Sequence, residues 1–450
     1  MSDIEARDAA WVAQHVRDVS AAGIAASITE LVRNHDLAHG ARLPTVRNLA
    51  GELGVSPGTV TTAWSMLRKR RIIATRRRGG TTIVGQPGAP HPNRFESVGN
   101  YGDRLRTDLT FATPDPDLLP ALGAALRSAL GNEQLNTYTR EPISPALAAA
   151  LVDRWPFPAE GWHAVNGGYE GMMLLCQTSI GAGEAVAIEN PTAPRLLDIL
   201  GVVGAKILPV SGDEDGPLPD SLADAVARGA VAFVYQPRAS SPRGHSVTPT
   251  RSAELAQTLD DTNVLVLEDD GVAEAASSDI NSLGTHLPDR TVLVRSFSKA
   301  YGPDLRIGVM GGAHGPIKLA RAYRNFGARW TSRILQDALA HLLVDRACQS
   351  TLAKARSAYA KRRGRLAQAL QQRGVAVHDR DGLSLWVPVE DEKYALVTFA
   401  AHGIAVTPGS RFYMHAGPDH VRIATGQLKQ GYDEVADCVA LAAGHSIDEE

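Results

Sequence analysis

Six short apolar segments constrain the fold of this chain more than any other feature. Each has three or four mostly aliphatic residues, and stretches with helical spacing separate them. The segments are 186–188, 207–210, 231–234, 264–267, 292–294 and 307–310. Runs of this length are typical of strands buried on both faces of a sheet, with helices as crossovers. The pattern therefore predicts a mainly parallel α/β sheet with helices on both sides.

Polar side chains follow the strand at 292–294 and form one candidate site. Ser296, Ser298 and Lys299 come directly after this strand, and Arg306 follows seven residues later. Such a set suits a phosphorylated aldehyde, because the amine can form an imine while hydroxyl and guanidinium groups hold the phosphate. Ligands bind at the carboxyl ends of strands in such sheets, which favours this interpretation. Taken alone, the stretch also fits a strand that runs into a basic loop.

Two other segments supply candidate groups for the same site. Asp269 ends the strand before this one, where a carboxylate can keep a pyridine nitrogen protonated or can simply cap the next segment. Gly168 and Tyr169 stand at a strand-to-helix junction, where backbone N–H groups and the helix dipole attract a phosphate. A pair of glycines is weak support by itself.

The first 90 residues differ in charge from the rest of the chain. They hold 12 Lys/Arg and 7 Asp/Glu, whereas the remaining 360 residues hold 34 and 42. A basic segment joined to an acidic body is typical of a nucleic-acid-binding domain attached to another domain.

Composition argues against several other classes of protein. No apolar run reaches the length that spans a bilayer, and the first residues lack a basic-then-apolar signal sequence. Cys176, Cys348 and Cys438 are far apart and have no metal-ligand spacing. We therefore expect a cytoplasmic, nucleoid-associated protein without a membrane segment or a metal site.

The basic segment predicts a winged helix-turn-helix. Apolar residues at helical spacing indicate helices over 21–34, 46–53 and 57–70, and Gly54 ends the second of them. Two apolar strands within 72–84 then enclose three arginines and two glycines, as in a β-wing. The small polar residues that start the third helix fit the major groove of DNA.

The motifs Leu43-Pro-Thr-Val-Arg-Asn-Leu-Ala50 and Gly54-Val-Ser-Pro-Gly-Thr-Val60, with the glycine-tipped wing, resemble the GntR-type winged helix-turn-helix. The resemblance covers residues 20–84 and implies binding to an operator in double-stranded DNA. The implied DNA-binding residues are Arg42, Thr45, Arg47, Ser56, Gly58, Thr59, Thr62, Arg76, Arg77, Arg78 and Gly80.

The chain over about 108–445 resembles fold-type I aminotransferases that use pyridoxal-5′-phosphate (PLP). The order Gly-Gly, Asn-Pro, Glu-Asp-Asp, Ser-x-Ser-Lys and later arginines carries the resemblance. It implies that Lys299 forms the Schiff base with PLP, that Asp269 contacts the pyridine nitrogen and that Arg422 holds an amino acid carboxylate. Arg422 alternatively forms an ordinary surface salt bridge. The implied cofactor-binding residues are Gly168, Tyr169, Asp269, Ser296, Ser298, Lys299 and Arg306, with Tyr138 reaching the phosphate of a neighbouring subunit.

A winged helix followed by an aminotransferase-like domain resembles the MocR subfamily of GntR regulators. The expected domains are a winged helix-turn-helix over 15–84, a linker over 85–107 and an effector and dimerisation domain over 108–447. The expected fold is thus multidomain, with an all-α and wing domain before an α/β domain whose sheet is mainly parallel. The resemblance implies a head-to-tail homodimer that regulates transcription, with PLP or a PLP–amino acid adduct as effector.

Three residues depart from the aminotransferase pattern. Gly271 stands where the family has a tyrosine, Ala193 where it has a stacking aromatic residue, and Ser241 where it has an asparagine. These losses favour a sensor over an efficient transaminase, and Tyr169 or Tyr301 is a candidate replacement for the aromatic ring. The open alternatives are an active aminotransferase with a DNA-binding appendage, a regulator whose pocket binds a ligand other than PLP, and a domain that only dimerises.

Overall fold

The computed structural model describes residues 8–34, 36–38, 40–69, 72–76, 80–84, 94 and 105–443. The chain forms two compact units, Met1–His91 and Pro92–Glu450. Most of the predicted linker lies outside the described residues, as do Arg77 and Arg78 of the predicted wing. In the part of the chain that is described, no helix is long and apolar enough to cross a membrane.

The N-terminal unit contains helices and a small antiparallel sheet. The helices are α1 (Ala9–Gln14), α2 (Ala21–Arg33), α3 (Val46–Leu53) and α4 (Pro57–Lys69), and the strands are β1 (Arg42–Leu43), β2 (Ile73–Arg76) and β3 (Gly80–Ile83). β3 pairs with both β1 and β2. The predicted helices α2 to α4 and the paired wing strands are present, whereas α1 and β1 were not predicted because each is too short to show a periodic pattern.

Capping bonds set the limits of α3 and α4. Thr45 Oγ1 accepts a hydrogen bond from the amide of Asn48 at 3.3 Å, and Ser56 Oγ accepts one from the amide of Thr59 at 3.2 Å. Gly54 has a φ of +64°, which favours glycine, and it ends α3. The caps hold the two helices in the helix-turn-helix arrangement, while α4 packs its apolar face against α2.

An eight-stranded sheet is the centre of the C-terminal unit. Its strands are β5 (Gly161–Val165), β6 (Ala185–Asn190), β7 (Lys206–Asp213), β8 (Gly216–Pro217), β9 (Ala230–Tyr235), β10 (Leu265–Asp270), β11 (Thr291–Ser296) and β12 (Gly308–Gly312). The spatial order is β5-β12-β11-β10-β9-β6-β7-β8. All six strands predicted from apolar runs are present. Neighbouring strands from β11 to β7 are parallel, so the predicted sheet type is confirmed.

β12 is the exception among the predicted strands, because it runs antiparallel to both β11 and β5. Only residues 297–307 connect β11 to β12. A parallel crossover needs about a dozen residues or more, usually with a full helix, so this short connection reverses the chain instead.

A smaller, unpredicted sheet completes the C-terminal unit. It contains β4 (Thr107–Leu109), β13 (Ser384–Pro388), β14 (Ile404–Pro408) and β15 (His420–Ala424), in the order β13-β15-β14-β4. Helices cover both sheets: α5 (Gly123–Ala129), α6 (Pro145–Val152), α7 (Gly168–Ser179), α8 (Pro194–Val203), α9 (Pro219–Ala227), α10 (Pro249–Leu259), α11 (Ser298–Tyr301), α12 (His314–Arg324), α13 (Arg333–Val344), α14 (Arg346–Gln372), α15 (Glu392–Ala401) and α16 (Tyr432–Ala442). The long helix α14 contributes buried residues to the cores on both sheets, which ties the two together.

Burial on both faces explains why β11 is central. Leu293 packs into the core on one side of the sheet, while Val292 and Val294 pack into the core on the other side. All three side chains are fully buried. This packing fixes the position of Ser296 at the end of β11 and of the short helix α11 that follows.

Close backbone contact beside β12 yields a stability prediction. A Cβ atom on Gly308 would lie 2.8 Å from the carbonyl carbon of Gly167 and 2.9 Å from the amide nitrogen of Gly168. Because both contacts are backbone atoms, we expect Gly308→Ala to lower the free energy of unfolding of the C-terminal unit by about 1–3 kcal/mol. Denaturant unfolding followed by circular dichroism measures the change.

Gly315→Ala is the matched control, because a Cβ atom on Gly315 in the first turn of α12 meets nothing within 4 Å. We expect this variant to match the wild type or to be slightly more stable. Equal stability of the two variants would contradict the packing argument.

Candidate functional site

A pocket of about 460 Å³ lies at the carboxyl ends of the parallel strands. Residues that follow β5, β6, β9, β10 and β11 line one side, and residues of the smaller sheet and its loops line the other. Eight of the nine predicted cofactor and effector residues line it: Gly168, Tyr169, Asp269, Ser296, Ser298, Lys299, Arg306 and Arg422. Strand-end placement and the family motif are therefore the signals that located them, and Arg422 was located by the resemblance alone.

The ninth predicted residue, Tyr138, is not among the residues that line this pocket. Its side chain is 83% exposed, and its ring makes an edge contact with Trp330 at 6.1 Å between centroids. Its predicted contact with a neighbouring subunit stays a prediction.

The amine of Lys299 lies in the pocket without a partner among the described residues. No hydrogen bond or ion pair from them reaches it, although it is partly buried in the second position of α11. Burial lowers the pKa of Lys299 to about 8, the nearby charge of Arg422 adds to the lowering, and the attraction of Asp269 opposes it. The neutral, nucleophilic amine is therefore more populated near neutral pH than for an ordinary lysine.

Asp269 is buried at the end of β10 and held in place by Gln236. Gln236 Nε2 donates to Asp269 Oδ2 at 3.0 Å, and its Oε1 accepts a hydrogen bond from the amide of Ser241 at 2.9 Å. Burial raises the pKa of Asp269 to about 7, the charge of Lys299 opposes the shift, and Asp270 adds to it. Sequence reasoning missed Gln236, because its partners are distant in sequence and it belongs to no motif.

A buried ion cluster stabilises the same end of β10. Asp270 accepts bonds from Arg238 at 2.8 and 2.9 Å and from Arg295 at 2.8 Å. Burial alone would raise the pKa of Asp270, but the two arginines lower it to about 2. The cluster was not predicted, and it fixes the backbone on which Asp269 stands.

The predicted phosphate-binding groups converge at the start of α7. Gly168 begins this helix, and a Cβ atom on it would touch Ser296, so the strand end and the helix N-terminus are adjacent. The guanidinium group of Arg306 donates to the carbonyl oxygen of Asn166 at 3.2 Å. Backbone N–H groups, a hydroxyl and a guanidinium group thus face the same space, which suits a phosphate.

Arg422 lies on the opposite side of the pocket, on β15. It donates to the carbonyl oxygen of Thr110 at 2.5 Å and to the hydroxyl of Thr407 at 3.3 Å, and it lies over the ring of Phe412 at 5.0 Å. Its Nε is buried and has no hydrogen-bond partner among the described residues, none of which forms an ion pair with it. Burial lowers its pKa to about 10. These contacts do not favour the alternative of a surface salt bridge.

The three residues that depart from the aminotransferase pattern also line the pocket. Ala193, Ser241 and Gly271 leave space where larger side chains would stand. Of the two candidate replacement aromatics, Tyr169 lines the pocket, with the guanidinium carbon of Arg195 5.1 Å from its ring centroid. Tyr301 instead lies in the hydrophobic core.

Most predicted DNA-binding residues lie on the surface of the N-terminal unit. Arg42, Thr45, Arg47, Ser56, Gly58, Thr62 and Gly80 are exposed, and Thr59 is partly exposed. Arg76 pairs with Gly80 across the two wing strands. The hydroxyls of Ser56 and Thr59 lie 3.0 Å apart, and Thr62 donates to the carbonyl oxygen of Gly58 at 3.0 Å, so these hydroxyls are oriented by the helix end itself.

Comparison with known proteins decides the family. Residues 20–83 match the family of bacterial regulatory proteins called gntR, and residues 107–438 match aminotransferase class I and II. The chain is 32% identical over 411 residues to the vitamin B6 salvage pathway transcriptional repressor PtsJ of Salmonella typhimurium, with 89% of this chain and 94% of the relative covered. The chain belongs to the MocR subfamily of GntR-type transcription regulators.

Other relatives of this MocR-type regulator span similar lengths. It is 26% identical to the pyridoxine biosynthesis transcriptional regulator PdxR of Corynebacterium glutamicum, with 87% of this chain and 88% of the relative covered. It is also 26% identical to the transcriptional regulator TauR of Rhodobacter capsulatus, with 86% and 88% covered. The chain is therefore a transcription regulator with a DNA-binding domain of the GntR type.

Solved aminotransferases share the fold of the C-terminal unit. An archaeal alanine:glyoxylate aminotransferase has a TM-score of 0.68 and 20% identity, with 75% of this chain and 90% of the other covered. A tetra mutant of Thermus thermophilus aspartate aminotransferase has a TM-score of 0.68 and 21% identity, with 78% and 98% covered. At these identities the likeness concerns the fold alone, and it confirms the predicted fold type I.

The charges around Lys299 predict how its amine titrates. Reductive methylation of the cofactor-free regulator, measured on the Lys299 peptide by mass spectrometry, should reach half its maximal rate near pH 8. Arg422→Gln should move this midpoint to higher pH, because a repelling cation is removed. Asp269→Asn should move it to lower pH, because an attracting anion is removed.

Exposed Lys318 on α12 provides an internal reference in the same samples. Neither substitution should change the pH profile of its labelling. A Lys299 midpoint that does not move in Arg422→Gln would show that the two side chains do not interact.

Proposed function

We propose that this regulator binds PLP around Lys299 and that occupancy of the pocket controls its affinity for an operator in double-stranded DNA. The observation that carries the proposal is the convergence of an unpaired lysine amine, a buried carboxylate and several arginines in one pocket. When bound, PLP supplies an aldehyde that condenses with an amine and a pyridine ring that withdraws electrons once protonated.

The charge of the pocket supports a ligand with several negative charges. Asp269 is the sole carboxylate among the described lining residues. The cationic lining residues are Arg94, Arg195, Lys299, Arg306, Arg411 and Arg422. A phosphate satisfies the groups at the start of α7, while Arg422 lines the pocket without an ion pair from the described residues and suits a carboxylate. The pocket volume of about 460 Å³ lies in the range typical of small-molecule sites.

Asp269 favours a ligand that contains a pyridine ring, as PLP does. Its pKa of about 7 leaves the carboxyl partly protonated near neutral pH, because Lys299 and the hydrogen bond from Gln236 only partly offset the effect of burial. A ring nitrogen that carries a proton beside it would favour the ionised carboxylate, because opposite charges then meet in a buried site. Gln236 holds the carboxylate in one orientation for this contact.

The names of two relatives support a vitamin B6 ligand. PtsJ is named for a vitamin B6 salvage pathway and PdxR for pyridoxine biosynthesis. Both align with this chain over more than four-fifths of its length. We infer that PLP itself is the signal here, with an amino acid at Arg422 as the second component of the effector.

The lining residues support signalling more than turnover. Losing an aromatic stack and a hydroxyl costs about 1–3 kcal/mol of ring binding. PtsJ, TauR and PdxR, each of which aligns over more than four-fifths of this chain, are named regulators, so the alternative of an active aminotransferase is not favoured.

We further propose a head-to-tail homodimer, with Tyr138 of each subunit directed to its neighbour's pocket. The 83% exposed ring of Tyr138 supports this role, because a large apolar side chain gains by being covered. Two winged helices in one dimer would read two half-sites, so a ligand-dependent change in their spacing would alter operator affinity.

The absorbance of the purified regulator tests PLP binding. On addition of PLP, we expect the visible band of a lysine-bound pyridoxal group in the wild type and its loss in Lys299→Ala. Lys318→Ala is the matched control, because Lys318 is an exposed lysine on α12 and should leave the band intact. An unchanged band in Lys299→Ala would exclude Lys299 as the attachment point.

A substitution in the N-terminal unit tests operator contact. If Arg47 contacts a base, Arg47→Ala should weaken binding to a duplex selected from random sequences by about 1–3 kcal/mol. If Arg47 contacts a phosphate, the substitution should reduce the salt dependence of binding by about one phosphate contact. Fluorescence anisotropy at several salt concentrations measures both. Arg17→Ala removes an exposed arginine outside the predicted contact set and serves as control. The PLP absorbance of Arg47→Ala should stay unchanged. If this variant lost both the PLP absorbance and DNA binding, the result would contradict separate sites for the two ligands.

A further inference from the structure

A second cleft of about 600 Å³ lies in the C-terminal unit and shares no lining residue with the Lys299 pocket among the described residues. Its lining comes from both sheets. Arg243 follows β9 of the large sheet, whereas Trp386 and His420 lie on β13 and β15 of the small sheet. The segment before β13 adds His378 and Arg380. A ligand here would therefore contact both sheets at once.

The cleft is cationic. Its described lining includes two arginines and three histidines but no aspartate or glutamate: Arg243, Arg380, His378, His415 and His420. Arg243 donates to the carbonyl oxygen of Gly212 at 2.5 Å, and none of the described carboxylates forms an ion pair with it. Arg380 Nη2 lies 3.5 Å from Oε2 of Glu214, whose side chain is 74% exposed. At least one guanidinium charge is thus left without an anion.

Hydrogen bonds hold the two arginines in place before any ligand arrives, because the guanidinium group of Arg243 donates to the carbonyl oxygen of Gly212 and that of Arg380 donates to the carbonyl oxygen of Glu214 at 3.0 Å. The amide of Asp381 donates to the carbonyl oxygen of Gly244 at 3.0 Å, which brings the neighbouring Arg243 and Arg380 to the same part of the cleft. The carboxylate of Asp381 in turn accepts from the amides of Ser277 and Ser278. A guanidinium pair fixed in this way loses little freedom when it binds an anion, which favours binding.

Aromatic rings form an ordered wall of the cleft. Trp386 stacks on His420 with 4.6 Å between ring centroids and 7° between planes, and Tyr413 lies 6.1 Å from Trp386. Burial lowers the pKa of His420 and the positive charge of Arg243 adds to the lowering, while the hydrogen bond to Pro418 and the charges of Asp419 and Glu392 oppose it. The charge of Arg243 is therefore felt at this wall, where an anion would offset it.

The cleft and the Lys299 pocket are separated by a thin shared wall. At three places the chain passes from one lining to the other within two residues: from Pro191 to Ala193, from Ser241 to Arg243 and from Phe412 to Tyr413. Nothing in the function proposed for Lys299 uses the cationic side of this wall.

We propose that this cleft is a second ligand site, which takes a small molecule bearing phosphate or carboxylate groups through Arg243 and Arg380. Guanidinium groups prefer such oxyanions, both arginines line the cleft, and the volume is that of a small-molecule site. The ligand bridges the two sheets and contacts the wall shared with the Lys299 pocket, so the regulator has a second input.

Tryptophan fluorescence of the full-length protein reports on this cleft. Trp386 lines it, whereas the described lining of the Lys299 pocket contains no tryptophan. Titration with inorganic pyrophosphate should give a saturable change, which Trp386→Phe removes. Arg243→Gln should weaken the apparent affinity at least about tenfold, because charge-assisted hydrogen bonds are lost. Succinate at equal ionic strength distinguishes a carboxylate site from a phosphate site.

Two variants serve as controls. Arg228→Gln removes an exposed arginine after α9, and Arg306→Gln removes a cation of the other pocket. Both should bind pyrophosphate as the wild type does. If Arg243→Gln melts at a lower temperature, Arg380→Gln replaces it, with an expected weakening of at least about threefold.

The proposal is overturned if the wild type shows no saturable change with either anion, or if sodium chloride at matched ionic strength gives the same change. It is also overturned if the signal survives Trp386→Phe, if the cleft variants bind as Arg228→Gln does, or if Arg306→Gln abolishes binding while Arg243→Gln keeps it.

Discussion

The burial of the Lys299 amine is the constraint on which the ligand pocket depends. Removing an ammonium group from water is costly, and the pocket offers it one carboxylate and a nearby guanidinium group. The result is an amine with a pKa of about 8 and a carboxyl with a pKa of about 7 in the same cavity. Both pKa values lie close to neutral pH, so a ligand that binds one of the two groups shifts the pKa of the other.

The sheet makes this arrangement possible. β11 is buried on both faces, and the Asp270 ion cluster fixes the end of β10 beside it. Asp269 and the segment around Lys299 therefore stand on rigid strand ends. The site residues lose their conformational entropy when the chain folds. Ligand binding therefore costs little further entropy.

Sequence patterns predicted the parts of the structure that depend on local order. The six strands were found because each is a continuous apolar run, and eight pocket residues were found because they follow strand ends or match a family motif. Gln236 and Arg238 were missed, because their partners Asp269 and Asp270 are 33 and 32 residues away and no local pattern links them. The small sheet was missed because its strands are short, and β4 is separated from its partner β14 by almost the whole unit. The sequence could not decide whether Tyr169 or Tyr301 replaces the missing aromatic residue, since both stand beside a motif and only the structure shows which one lines the pocket.

The central claim is that ligand chemistry at Lys299 controls DNA binding. Fluorescence anisotropy with a duplex selected from random sequences, with and without PLP, tests it in the wild type and in Lys299→Ala. We predict that PLP changes the affinity of the wild type at least about fivefold, which corresponds to a coupling of about 1 kcal/mol. The affinity of Lys299→Ala should not change. An equal change in both proteins, or no change in the wild type, would contradict the account.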